Sequence, residues 1–314
     1  MDGYTFVRIE KKRLADIQKL YLSSFGLSVT LSFLEAKYST TNFGSEYLGY
    51  LAYSSEGEPA AYYGIFPMLI RVGGESLLIG QSGDTMTSPS HRMKGLFVET
   101  AKRTYELAKK EGVQFVFGFP NENSFPGFKS KLGWEFIDSL YDFRMKMSVF
   151  PLAAIVKRFR LLHRPCITFI NSRLRRIKLP LSDFLIEGFN DPNVDSILHD
   201  RLFFEYKVTN GATAIAWKGF LFFVKIDGEL VIGDVAMFEL SRFVSFIDAC
   251  RSLGRYLYCH RILLSLNKNH WLFPFFQKNE MEGSKGLPIG FLPIGDHHFS
   301  FDTISFSRMD ADTF

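Results

Sequence analysis

The sequence predicts a mixed α+β fold, a mostly antiparallel sheet flanked by helices, and three observations predict it. Period-two apolar runs separated by turn chemistry crowd the stretch from Tyr47 to Thr87. A segment with Phe97, Ala101, Tyr105 and Ala108 at helical spacing follows at once. The same order of strand, helix and strand then returns in the second half of the chain. At 314 residues the chain exceeds one typical domain, so the expected division is 1–147, a connector 148–182, and 183–314.

Taken in order, Tyr4 to Ile9 alternates like a first strand. Lys11 to Phe25 carries Leu14, Ile17, Leu20, Tyr21 and Phe25 on one helical face and stops at Gly26. Thr30 to Tyr38 reads as a second helix. Three strands follow, Tyr47–Tyr53, Ala60–Val72 and Ser76–Thr87, with S-S-E-G-E-P and Gly73-Gly74 as their turns. Gly83–Phe97 is a polar turn that opens a helix running to Lys110. On its outer face Glu99–Arg103 and Glu106–Lys110 are i,i+4 pairs, and Gly112 closes it. Gln114–Phe119 is a short buried strand. K-S-K-L-G-W gives a short helix ended by Gly133, and a strand then runs through Asp142 to Met147.

Residues 143–182 hold ten basic residues and no Asp or Glu, interleaved with apolar ones. Such a segment is either a linker helix with solvated charges or, over 152–178, a contact for an anionic membrane or lipid-linked substrate. Beyond it, Phe203–Lys207, Ala212–Ile226 and Glu229–Met237 read as strands. Phe238–Leu253 reads as a helix, Arg261–Leu266 as a strand, Trp271–Lys278 as a short helix and Phe301–Ser307 as a last strand. G-E-S-L-L-I-G-Q-S-G-D at 74–84 is matched by G-E-L-V-I-G-D-V-A at 228–236, each leading into a helix. The second copy has Phe238 to Arg242 where the first has its glycine turn, which suggests a duplication with one competent site.

Composition narrows the function classes. A net charge of +4 is too small to argue for nucleic acid. Cys166, Cys250 and Cys259 have no metal-ligand spacing, which fits a reduced, cytoplasmic protein. His91 stands beside the key turn, exposed or near an anion, while His297-His298 reads as a loop pair; no metal is expected. The start of the chain has no apolar signal core, and no apolar run is long enough to span a membrane.

The strand–turn–helix at Gly83–Phe97 points free N–H groups and a helix dipole at one spot, an anion site suited to a pyrophosphate. Asp84, in the strand that feeds it, has two readings: a base toward an amine, or a side chain pinning the adjacent turn.

The runs P-S-H-R-M-K-G-L-F and N-E-N-S-F-P-G-F-K-S-K-L-G-W resemble motifs of the GNAT superfamily of acyl-CoA-dependent N-acyltransferases. The family's Arg/Gln-x-x-Gly-x-Gly/Ala turn reads here Arg92-Met93-Lys94-Gly95-Leu96-Phe97, with Met93 and Phe97 where smaller residues are usual. The resemblance covers roughly residues 4–147 and extends weakly into a tandem, degenerate second copy. It implies a GNAT-like fold with acetyl-CoA, or another acyl-CoA, as co-substrate. Arg92, Lys94 and the N–H groups of Met93, Gly95, Leu96 and Phe97 would hold the phosphates. Met86 and Thr87 would bond the pantetheine arm, with Asn123 and Phe128 beside it. The family's usual Tyr acid is replaced in the region of Phe128 and Lys129, leaving Ser124 or a water as proton donor. Some relatives use a terminal carboxylate as base, which brings in Phe314. The acceptor implied is a primary amine of a small polar molecule, preferred as an amino sugar or sugar nucleotide, with no nucleic acid. The alternatives are aminoacyl transfer from a charged tRNA and a non-catalytic acyl-CoA sensor.

Overall fold

Period-two runs become paired strands in the computed structural model, which describes residues 3–158, 163–297 and 300–314. β1 (Tyr4–Arg8), β2 (Leu48–Ser54), β3 (Pro59–Val72) and β4 (Glu75–Thr87) pair antiparallel in succession. The Gly73-Gly74 turn between β3 and β4 takes positive φ at both residues, which glycine does without steric cost. Between β1 and β2 come α1 (Leu14–Phe25) and α2 (Leu31–Tyr38), the latter capped by the Thr30 hydroxyl. These helices cover one face, burying Leu14, Ile17 and Leu20 against Tyr62 and Phe66 of β3 and Met86 of β4.

The opposite face is closed by α3 (Leu96–Lys110) and α4 (Phe125–Lys131). Ala101, Tyr105 and Ala108, the periodic face of α3, pack with Tyr63, Phe128 and Trp134. β5 (Phe115–Gly118) lies parallel to β4. Then follow β6 (Glu135–Lys146), α5 (Leu152–Arg158), α6 (His163–Ile177), β7 (Ser196–Ile197) and α7 (Arg201–Thr209). Next are β8 (Thr213–Trp217), β9 (Phe220–Ile226), β10 (Leu230–Val235), α8 (Phe243–Tyr256), β11 (Arg261–Leu266), α9 (Phe273–Lys278) and β12 (Ser284–Pro293).

Two units emerge, and neither is a continuous half of the chain. The first takes Met1–Asp138 and recovers Leu287–Asp302, and the second takes Ser139–Gly286 with Thr303–Phe314. The break therefore falls at 138/139 rather than 147, because β6 pairs with β11 from Tyr141 to Lys146. Correspondingly, Gly290–Pro293 of β12 pair with β5. The stretch 148–182 is no separate connector. Within the second unit Met147 N–H donates to the His260 carbonyl, and Arg173 of α6 stacks over Tyr256 at 4.1 Å. Arg175 and Arg176 remain exposed; the side chains of Lys157, Arg158, Arg160 and Arg164 lie outside the described residues.

Three expected elements change. Phe203–Lys207 is helical, because Asp200 caps the Phe203 N–H at 2.8 Å and Phe203, Phe204 and Lys207 share a buried helical face. Phe301–Ser307 gives a 3₁₀ turn and isolated bridges at Ser305 and Ser307 instead of a strand. β12 was not anticipated, since S-K-G-L-P-I-G-F-L-P reads as turn chemistry. Gly290 is nonetheless required there: a Cβ would stand 2.5 Å from the Phe136 ring.

A strand-pairing pattern of the first unit recurs in the second. β10 pairs antiparallel with β9 and parallel with β11, as β4 does with β3 and β5. Asn121–Phe128 and Asn269–Phe276 share the pattern Asn-x-x-x-Phe-Pro-x-Phe at the same place after the parallel strand. In the second unit, however, a Cβ on Gly233 of β10 would run into the Phe314 ring and come within 2.9 Å of Met309 Cβ. Segment 306–314 thus fills the space where β10 leaves β11, and Phe314 is buried rather than frayed.

This segment is fastened by a buried pair, His199 Nε2 to Asp310 Oδ1 at 2.7 Å. His199 Nδ1 faces the Phe189 carbonyl at 3.2 Å, so the protonated ring can donate from both nitrogens. Burial opposes that charge, but the Asp310 charge and hydrogen bond prevail and raise the pKa above the usual 6.5. A raised value means the stabilisation is complete below about pH 6.5 and is lost as pH rises through the folded-state value. The gap in urea midpoint between wild type and Asp310→Asn should therefore be widest near pH 6 and shrink on the alkaline side. A gap independent of pH would contradict the pairing.

Candidate acyl-donor site

β4 and β5 are in register only at Gly80–Val116 and Gln81–Phe117. β4 continues to Thr87, while β5 stops at Gly118, so the two part company beyond Gln81. A bulge accompanies the parting: pairing with β3 jumps from Gly64–Gly83 to Tyr62–Met86, and Asp84 takes φ 53°. A cavity of about 540 Å³ opens at this point, within the usual range for small-molecule sites. Thr85 and Thr87 of β4, Phe97 of α3, and Asn123, Ser124 and Gly127 around α4 line it.

The turn beside the cavity leaves its backbone donors open. Met93 at φ 62° and Gly95 at φ 75° both sit in the left-handed region, and Gly95 caps α3 with no side-chain partner. Among the described residues, none of the five N–H groups from Met93 to Phe97 donates to a protein acceptor. Five free donors at the positive end of a fifteen-residue helix form an anion cradle. Exposed Arg92 and Lys94 add charge. His91 is engaged elsewhere, its Nδ1 2.8 Å from the Tyr4 hydroxyl. Met93 pays roughly 1 kcal/mol for its left-handed backbone, but its side chain is 98% exposed and leaves the cradle open.

Phe97 has a different compensation. Its ring packs on Phe128 at 5.4 Å, and a Cβ on Gly127 would come 2.9 Å from Phe97 Cε1. Gly127 therefore makes the room that a smaller residue at 97 would have left.

Asp84 points to the face covered by α1 and α2. Its Oδ1 accepts from Lys37 Nζ at 2.6 Å and from the Tyr21 hydroxyl at 2.5 Å; its Oδ2 accepts from the Tyr38 hydroxyl at 2.8 Å. Burial, then the Asp84 charge, pushes the Tyr38 hydroxyl well above the ordinary tyrosine value, so it stays a donor. On the other face a buried chain runs from Ser82 through Tyr63 and Tyr105 to the Trp134 N–H, at 2.7, 2.8 and 3.0 Å.

Residues 8–137 match the family model described as "Acetyltransferase (GNAT) domain". That stretch is similar to a GNAT acetyltransferase domain. No curated protein matches the sequence. Among solved structures, a GCN5-related N-acetyltransferase from Kribbella flavida is similar, with TM-score 0.59 and 15% identity over 92% of this chain and 70% of that one. N-myristoyltransferase of Saccharomyces cerevisiae, solved with myristoyl-CoA, gives TM-score 0.58 and 10% identity, covering 93% and 82%. At such identities these likenesses show a shared fold alone.

Within the matched residues 8–137, Thr87, Phe97, Asn123 and Ser124 are brought together around one cavity, next to the Arg92–Phe97 turn. Phe128 lies in the core below, 4% exposed and packed edge-to-face on Trp134, and the Met86 side chain packs toward α1 and α2. The Phe314 ring lies in the second unit against Phe223. Asn121, not foreseen, shapes the α4 entrance by accepting the N–H groups of Asn123 and Ser124. Lys37, Tyr21 and Tyr38 were equally invisible as partners of Asp84. No group of three or more His, Cys, Asp or Glu able to hold a metal occurs among the described residues. His297 is exposed, and His298 lies outside them.

Gly127→Ala should lower stability by roughly 1–3 kcal/mol through overpacking, and that cost should largely vanish when Gly127→Ala is made in a Phe97→Ala background. Thermal melting of the single and double variants checks this; equal cost in both backgrounds would contradict it.

Proposed function

We propose that the protein transfers an acyl group from acyl-CoA, acetyl-CoA first among them, to the primary amine of a small polar acceptor, with an amino sugar or sugar nucleotide as the preferred class. The observation that carries this is the run of five free N–H groups at Met93–Phe97 opening beside the cavity that β4 and β5 leave between them. The residues fit the donor: the N–H cradle with Arg92 and Lys94 suits a diphosphate, and Thr85 and Thr87 with Asn123 line a slot for the narrow arm. Bound acyl-CoA supplies a thioester, an acyl donor activated toward amines. Ser124, at the cavity wall, carries the hydroxyl that can give a proton to a departing sulfur. No helix among the described residues is long and apolar enough to cross a membrane.

Acetyl-CoA at about a hundred times its Kd should raise the melting temperature by about 5 °C or more. Thiol release across a panel of amines should then identify the acceptor. No stabilisation would remove the reading. Stabilisation without turnover on any amine would favour a sensor, and RNA binding with a salt slope but no CoA binding would favour aminoacyl transfer. Gly95→Glu, which puts a carboxylate and a strained side chain into the cradle, should abolish the shift.

A further inference from the structure

Asp84 is an uncommon residue in two respects. It holds a left-handed backbone, φ 53°, inside a strand, and its carboxylate is 6% exposed. A buried ion pair is seldom the cheapest way to stabilise a fold, since apolar replacements of similar shape are commonly neutral or better. Its attested use is to select one conformation. Here every donor comes from α1 or α2: the Tyr21 hydroxyl, the Lys37 ammonium and the Tyr38 hydroxyl. Lys37 itself is 8% exposed, donates also to the Tyr21 hydroxyl at 3.1 Å, and lies over the Phe66 ring at 5.0 Å. The next residue along β4 is Thr85, which lines the cavity. The strained residue thus sits at the point where β4 leaves β5.

We infer that Lys37, with Tyr21 and Tyr38, is a positioning group that clamps Asp84 in its left-handed conformation and so fixes where Thr85 and Thr87 meet the acyl donor. In this arrangement Asp84 is a fixed buried anion that takes three hydrogen bonds and receives no proton from the acceptor amine. The inference rests on the acyltransferase reading for its kinetic consequence, but not for its structural one. It extends the working machinery to α1 and α2, on the face opposite the cavity.

The test compares wild type with Lys37→Met, Asp84→Asn, the double variant and Tyr38→Phe. Lys37→Met leaves an uncompensated buried carboxylate, so kcat should fall by about tenfold or more, with the Kd for acetyl-CoA changed by less than about threefold. The double variant removes both charges, and asparagine tolerates the left-handed region well. It should recover most of the kcat lost in Lys37→Met and keep the wild-type pH profile. Tyr38→Phe, which deletes one hydroxyl and preserves ring packing, should show a smaller loss of kcat at unchanged Kd. A base role for Asp84 predicts the reverse: Asp84→Asn and the double variant would both lose about 10²–10⁴ in rate along with the ascending pH limb. That result, or wild-type kcat in Lys37→Met, would overturn the inference.

Amide hydrogen exchange, read without ligand or turnover, separates failure of the clamp from failure of the acyltransferase reading. Exchange at Thr85 and Met86 should quicken about tenfold in Lys37→Met and slow again in the double variant. Unchanged exchange in Lys37→Met would overturn the clamp whatever the protein acylates.

Discussion

Everything that makes the first unit useful depends on β4 leaving β5 after Gln81. Two parallel strands that stayed in register to Thr87 would bury their edges in each other and leave no slot. The bulge between Gly83 and Met86 turns β4 aside, and α3 then starts from Gly95 with its amides free. The cavity, the anion cradle and the exposed cations follow from that single parting. Maintaining it requires a residue held at positive φ, and the buried donors around Asp84 are what the fold applies there.

The second unit shows the same construction put to another end. β10 bulges between Ile232 and Asp234, next to its own parallel partner β11. Asp234 there is held by His270 Nε2 at 3.2 Å and by the Val235 N–H at 2.7 Å, not by a lysine and two tyrosines. The space that opens is filled by Met309 and Phe314, with Lys207 donating to the Ala311 carbonyl at 2.7 Å. The same pairing pattern therefore gives one open gap and one packed with side chains.

Much of this was legible in the sequence, and for identifiable reasons. Strands with clean alternation and helices with caps are local properties, so β1 to β5, α1, α2 and α3 could be read directly. The turn before α3 was legible because glycine at 95 and the helix after it are adjacent in sequence. What escaped reading depends on partners far away in the chain. Lys37 looks solvated on its own helix, and only the fold brings it to Asp84, 47 residues on. Phe97 looked like a defect in the turn until Gly127 was seen to accommodate it. β12 is disguised by its glycines and prolines, although Gly290 is demanded by its packing against Phe136 and Trp134. Phe203–Lys207 misled because a short aromatic run carries no period of its own.

The central claim is that one gap, bordered by Thr85 and Thr87 and headed by the Met93–Phe97 amides, receives the acyl donor. Backbone amide NMR during a titration with CoA tests it most directly. The account predicts saturable shifts concentrated at Thr85, Thr87 and Met93 through Phe97, at a common Kd. Binding that leaves those amides unmoved while others shift would contradict it.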